Sequence, residues 1–185
     1  MQVDVLIGVL EEIKGITQSI KDAGDLIMSC FMDKHKLLVA GNGGSASDSL
    51  HLVAELVGNY KSKERQSLPA IALVENQASI TSISNDLGFE NLFSRQIEGL
   101  GLEGDVFMGI STSGRSRNVL LALRKAREKG LKTIGLCGRY DDEMKELCNV
   151  LISVPSSETQ RVQECHIFII HLICDYVEDN IIRGV

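Results

Sequence analysis

Five short apolar runs, Leu37–Ala40, Ala70–Val74, Val106–Ile110, Thr133–Cys137 and Val150–Val154, alternate along this chain with segments of helical spacing. Apolar runs of this length without in/out alternation read as strands buried on both faces. The helical segments between them, near 45–57, 77–85, 89–100, 116–129 and 141–148, exclude tight hairpins. The pattern therefore predicts an α/β fold: a five-stranded parallel sheet with right-handed crossovers and helices on both faces, in the flavodoxin-like manner. Ligands of such sheets bind at the carboxyl ends of the strands. Three segments with unusual chemistry fall at those ends: 41–45, 111–116 and 138–142.

Long helices flank this core. Leu6, Val9, Leu10, Ile13, Ile16, Ile20, Leu26, Ile27 and Phe31 recur at three- and four-residue steps, predicting an amphipathic N-terminal helix with a break near Gly24. A last helix over about 159–181 carries Val162, Cys165, His166, Ile169, Ile170, Ile173, Cys174 and Val177. Wide apolar faces on both ends predict a homo-oligomer, with residues 1–33 as the oligomerisation helix and 34–185 as the ligand-binding core of a single domain. The charged stretch Lys61–Gln66 reads as a solvated connector.

A formal charge of −6 and a pI near 5.2 exclude broad nucleic-acid binding, and with no Trp and 4% aromatics a base-stacking platform is not expected. No apolar run reaches membrane-spanning length, and Met1-Gln2-Val3-Asp4 has no basic leader. The five cysteines (Cys30, Cys137, Cys148, Cys165, Cys174) form no CxxC and read as reduced thiols of a cytoplasmic protein. Cys165 and His166 are adjacent and point about 100° apart on a helix, so they do not make a nucleophile pair.

The chemistry concentrates in two loops and two helices. Gly41-Asn42-Gly43-Gly44-Ser45 ends the first strand and opens a helix, placing backbone N–H groups where an anion or a sugar hydroxyl can be held. His51 and Glu55 follow at i,i+4 on that helix, on one face. Ser111-Thr112-Ser113-Gly114-Arg115-Ser116 follows the third strand and opens the next helix. Its four hydroxyls exceed what capping needs and predict a phosphate cup. With the phosphate there, Asn42–Ser45 grips the sugar end and aims His51 and Glu55. His51, Glu55, Gln163 and His171 are the candidates for metal or acid–base work. His35 and His166 read as structural. Gln163 and His171 lie eight apart, roughly 12 Å along a helix, so one ion could join them only by near-full side-chain reach, by a helix starting after Gln163, or across two subunits.

Together with Phe93-Ser94-Arg95-Gln96, Asn85-Asp86 and Arg161-Val162-Gln163-Glu164, these motifs keep an order and spacing over almost the whole chain that resemble the phosphoheptose isomerases of the sugar-isomerase (SIS) domain family. The resemblance implies interconversion of sedoheptulose 7-phosphate and D-glycero-D-manno-heptose 7-phosphate through an enediol. That reaction is the first step toward activated heptose for lipopolysaccharide core, capsule or S-layer. It also implies a homotetramer with active sites between subunits and one zinc, or another divalent ion, per site. Carried over by motif, His51, Glu55, Gln163 and His171 surround the metal. Asn42, Gly43, Gly44, Ser45, Asn85, Asp86, Ser111, Thr112, Ser113, Ser116 and Gln163 line the substrate with Glu55. Glu55 and His171 serve as base and acid–base partner. Arg115, Asn59, 74–77 and 139–142 depart from the family pattern, the last two at strand ends where they bear on sugar choice.

Two other readings share the fold: a non-catalytic SIS protein that binds the replication initiator, and an isomerase of another sugar phosphate. Retention of His51, Glu55 and His171 favours an enzyme over the non-catalytic reading.

Overall fold

A computed structural model describes residues 2–182; the predicted domain limits at 1 and 183–185 lie outside the described residues. The five predicted strands form: β1 (Leu37–Gly41), β2 (Ala70–Ala72), β3 (Val106–Ser111), β4 (Lys132–Cys137) and β5 (Val150–Ser153). Every pairing is parallel and the order is β2-β1-β3-β4-β5, the doubly wound arrangement the alternation predicts. β2 is two residues shorter than its apolar run, because Leu73 and Val74 turn away toward the next helix.

Successive side chains of one strand feed two separate cores. Leu37 and Val39 join Val106, Met108 and Ile110 beneath α1 (Gln2–Ile13), α2 (Thr17–Met32), α3 (Gly44–Val57) and α8 (Thr159–Ile182). Leu38, Ala40 and Phe107 face α5 (Leu92–Leu100), α6 (Arg117–Glu128) and Met144 of the short α7 (Asp142–Lys145). α4 (Gln77–Leu87) and the 3-10 turn Phe89–Asn91 lead into α5, so the helix predicted over 89–100 starts as a tighter turn. At Gly109 a Cβ would sit 2.8 Å from Val119, so glycine there lets α6 lie directly on the sheet.

The N-terminal helix does break, though not at Gly24. A 3-10 turn, Lys14–Ile16, separates α1 from α2. Gly24 is buried within α2, where a Cβ would come 2.5 Å from the Tyr176 ring. That glycine is a close-packing contact between α2 and α8, and the helix continues through it.

The sheet's polarity fixes where chemistry can occur. β1 sends its connection toward β2 while β3 lies on its other side, so the β1 and β3 loops open side by side at the switch point. Both motif loops lie there.

Candidate active site

Gly43, at φ 56° and ψ −120°, takes a backbone conformation that glycine adopts without strain, and it caps α3. The amides of Ser45, Ala46 and Ser47 are already bonded to the Asn42 and Gly43 carbonyls, and Ser45 is buried. Few free N–H groups remain in this turn to cradle a phosphate. The turn opens α3, which carries His51 and Glu55 and packs against α8.

There the side chains converge. His51 Nε2 stands 3.0 Å from His171 Nε2, with ring centroids 5.1 Å apart and nearly edge-on. Glu55 Oε1 is 3.4 Å from the same His51 nitrogen. Two facing imidazole nitrogens at that distance must share a single proton, or hand it over to something that binds both. The Tyr60 ring stacks on His171, centroids 5.9 Å apart at 23°. None of these groups is fully buried. A cavity of about 750 Å3 lies elsewhere, beside Phe31, Leu68 and Ile181, and takes in none of them.

Asp48 is the residue near this cluster that sequence reasoning passed over. It sits one turn ahead of His51 on the buried face of α3, with Oδ2 unpartnered. Burial pushes its carboxyl up to about 6, opposed by the charge of His51. Its position four before Leu52, on the apolar stripe, is the signal that identifies it.

The β3 loop has the geometry of a cup. Ser111 Oγ lies 2.9 Å from Ser116 Oγ and 3.4 Å from Ser113 Oγ, and the amides of Arg115 and Ser116 point at these hydroxyls. Ser116 occupies the N-cap of α6, yet its side chain makes no capping bond. Capping therefore does not account for the Ser116 hydroxyl, while Ser111 and Ser113 already accept amides of the turn. Gly114 has φ 66°, and a Cβ on it would lie 1.9 Å from the Tyr140 carbonyl oxygen, so the 138–141 loop closes over this turn. Arg115 lies over the Tyr140 ring at 4.9 Å. Asn118, also missed in the sequence, exchanges two 2.9 Å amide hydrogen bonds with Asn42 and ties the cup to the glycine turn. Thr112 lies beside the cup and accepts the Gly138 amide through its carbonyl.

Other predicted residues are placed differently. Gln163 packs on the glycine turn: a Cβ at Gly44 would be 2.1 Å from its Nε2. Because α8 runs unbroken from Thr159, a helix starting after Gln163 is excluded, and Gln163 stays roughly 12 Å along the axis from His171. Asn85 and Asp86 lie on α4, a helix apart from α3 and α8, and their side chains bond to each other. His35 pairs with buried Asp105, and His166 is fully buried. The cysteines are all free, and burial pushes Cys165 up to about 11, which leaves it a protonated packing residue. The stretch Lys61–Gln66 is a solvated connector only in part: Lys61, Lys63, Glu64 and Gln66 are exposed as expected, while the Arg65 side chain is buried against Glu178, with Nε donating to the carboxylate at 2.9 Å.

This fold and these loops match known proteins closely. The sequence profile of the SIS domain matches residues 3–138. A phosphoheptose isomerase of a Nitratiruptor species is 49% identical over 158 residues, 85% of this chain and 84% of that protein. One from Geotalea daltonii is 54% identical over 157 residues, covering 85% and 81%. Among solved structures, phosphoheptose isomerase GmhA from Neisseria gonorrhoeae superposes with a TM-score of 0.90 at 37% identity, covering 96% of this chain and 95% of that one. The chain belongs to the phosphoheptose isomerase family of SIS-domain proteins.

Proposed function

We propose that this protein interconverts sedoheptulose 7-phosphate and D-glycero-D-manno-heptose 7-phosphate. The observation that carries the reading is the convergence of Glu55, His51 and His171, with a hydroxyl cup at the neighbouring strand end. An aldose–ketose isomerisation is redox-neutral and moves one proton between C1 and C2 through a cis-enediol. The Glu55 carboxylate takes the proton from C1 of the ketose and returns it to C2, while His171 moves the oxygen-bound proton between O2 and O1. Ser111, Thr112, Ser113 and Ser116 hold the phosphate, and Asn42, Gly43 and Gly44 hold the sugar end. Asn85 and Asp86 complete the substrate site from a neighbouring subunit.

A divalent ion, zinc in the first instance, fits the donors present. No three His, Cys, Asp or Glu close into a ready cage among the described residues. Yet two ligands on one tetrahedral zinc stand roughly 3.3 Å apart, and the His51–His171 and His51–Glu55 separations are 3.0 and 3.4 Å. His51, His171 and Glu55 would hold the ion, with Gln163 joining them either by near-full side-chain reach along α8 or from a neighbouring subunit. When bound it supplies polarisation of the substrate carbonyl.

A homotetramer is supported by the apolar surface left uncovered: Val3 and Ile7 on α1, and Leu50, Val57 and Phe168 beside the catalytic groups on α3 and α8. Among the described residues no helix is long and apolar enough to cross a membrane. We place the enzyme in the cytoplasm, at the first step of activated-heptose synthesis for lipopolysaccharide core, capsule or S-layer.

The test is an assay of purified protein against seven-, six- and five-carbon ketose phosphates, with and without chelator. Turnover of sedoheptulose 7-phosphate alone, abolished in Glu55→Gln with an unchanged circular dichroism spectrum, is expected. Near-normal turnover by Glu55→Gln would remove Glu55 as the base, and preference for a shorter sugar would remove the heptose substrate.

A further inference from the structure

His171, Asp175 and Glu178 stand at i, i+4 and i+7 on α8, along one face of the helix. Each is engaged by the segment that follows α3. The Tyr60 ring stacks on His171, and Lys61 Nζ pairs with Asp175 while lying 5.2 Å from the Tyr60 centroid. Glu178 Oε2 accepts the amides of Lys61 and Ser62 at 2.9 and 3.2 Å. Its Oε1 accepts Nε of Arg65.

The far side of the same guanidinium reaches α3. Nη2 donates to the Glu55 carbonyl at 2.8 Å and Nη1 to the Leu56 carbonyl at 2.9 Å. One rigid fork therefore joins the backbone of the proposed base to the helix that carries its partner. The two charged side chains are only 1% and 5% exposed. A buried ion pair is weak evidence for stability, since desolvation offsets most of its attraction, but it does fix geometry. The segment also borders the open 750 Å3 cavity on its other side, so polar bonds hold it where a packed core does not.

We infer that residues 60–65 form a polar clamp that sets the spacing of Glu55 and His171, with Arg65 and Glu178 as its positioning residues. The inference rests on the isomerase reading of that pair. Neither residue reaches the reacting atoms, so the clamp acts on where His171 and Glu55 stand. A displacement of about 1 Å at such a pair lowers turnover on the order of a hundredfold.

The test uses the full chain carrying Arg65→Met with Glu178→Leu, which removes both charges and leaves neither unpaired. Apolar replacement of a buried pair is often neutral or stabilising, but this variant also leaves the amides of Lys61 and Ser62 and the carbonyls of Glu55 and Leu56 without these partners, which costs stability for each that stays buried. Circular dichroism therefore confirms that the double variant is folded before its kinetics are read, and the single Arg65→Lys variant carries the test if it is not. The kcat of the double variant should fall at least tenfold, on the order of a hundredfold, with KM within about twofold because the hydroxyl cup is untouched. Arg65→Lys keeps the charge but cannot span three acceptors, so it should fail to restore kcat. The second readout is the imidazole proton resonance of His171, assigned by its loss in His171→Gln. The Tyr60 ring current should displace it in the wild type, and the double variant should lose that displacement. A folded double variant with wild-type kcat and the same displaced resonance would overturn the clamp. Should the wild type turn over no ketose phosphate, the proposed function falls, and the His171 resonance alone decides the clamp: retained displacement refutes it, lost displacement sustains it.

Discussion

Replacing Gly44 by alanine separates the fold of the glycine turn from its chemistry. Gly44 is the first residue of α3 and its φ is not in the left-handed region, so the backbone accepts alanine. Alanine favours the helix and restricts the unfolded chain, together about 0.4–1 kcal/mol toward stability. Against this stands one contact. The new Cβ would lie 2.1 Å from Gln163 Nε2 and 2.8 Å from its Cδ, whereas ordinary contact begins at 3.4 Å. The amide must withdraw by the difference, 3.4 − 2.1 = 1.3 Å. A glutamine has the torsional freedom to do so for about 0.5–1.5 kcal/mol of rotamer strain. The two effects nearly cancel, so the melting temperature should stay within a few degrees of the wild type.

The activity should not survive as well. If Gln163 holds an ionised substrate group or the metal, losing that bond removes about 1.5–3 kcal/mol, or ten- to a hundredfold in kcat/KM on the order-of-magnitude scale. Gln163→Ala should show the same loss, and the double variant should be no worse than either single one. Steady-state kinetics on the three proteins, with thermal unfolding beside them, form a closed cycle. A Gly44→Ala enzyme of full activity, or additive losses in the double variant, would refute the claim that Gly44 acts by making room for Gln163.

His171→Gln should lose both turnover and bound metal, read by elemental analysis of the purified protein. Gly114→Ala forces a left-handed residue to carry a Cβ, at about 1–2 kcal/mol, and drives it into the Tyr140 carbonyl. The melting temperature should fall and KM for the phosphorylated sugar should rise, while the unphosphorylated sugar binds as before. Burial holds the His166 imidazole down at about 4 from an ordinary 6.5, the Cys137 backbone offsetting this only in part. The folded state therefore resists protonation that the unfolded chain accepts. Stability is unaffected by this group above about 6.5 and falls by up to about 3 kcal/mol as the pH drops toward about 4. His166→Leu should flatten that acid limb in unfolding titrations and leave the neutral-pH melting temperature nearly unchanged.

The sheet was legible because its signal is local. A run such as Leu37–Ala40 must be buried on both faces, and no neighbour far in sequence is needed to say so. The i,i+4 relation of His51 and Glu55 is local in the same sense. What depends on a partner distant in the chain was not legible. Gly24 carries the sequence mark of a break, and only Tyr176, on α8, makes it a contact residue inside a continuous helix. Asn118 reads as an ordinary helix residue until the β1 loop brings Asn42 to it. The Lys61–Gln66 stretch looks solvated because its counter-charges, Asp175 and Glu178, lie more than a hundred residues away. Charge patterning along a sequence cannot distinguish a solvated face from one half of a buried network.

That distinction decides how the site is built. α3 and α8 leave the core in directions set by apolar packing, and packed helices can shear by small slides along one another. The chemistry does not tolerate them, because His51 and His171 meet at hydrogen-bond distance through side-chain tips. The glycine turn fixes the start of α3 through Gly43 and the contact between Gly44 and Gln163, and Arg65 fixes its end through the Glu55 and Leu56 carbonyls. Both fixings are made to α8, at Gln163 and at Glu178, and His171 lies between those two positions on the helix. Each end of the pair is thereby tied on both sides of the reacting groups. A perturbation at Arg65 or Glu178 should lower kcat by moving His171 against Glu55, one at the Gly44–Gln163 contact should lower kcat/KM through Gln163, and one at the hydroxyl cup should act on KM. That division between kcat and KM follows from the placement of the bonds, and it is what the Gly44, Arg65 and Gly114 variants measure together.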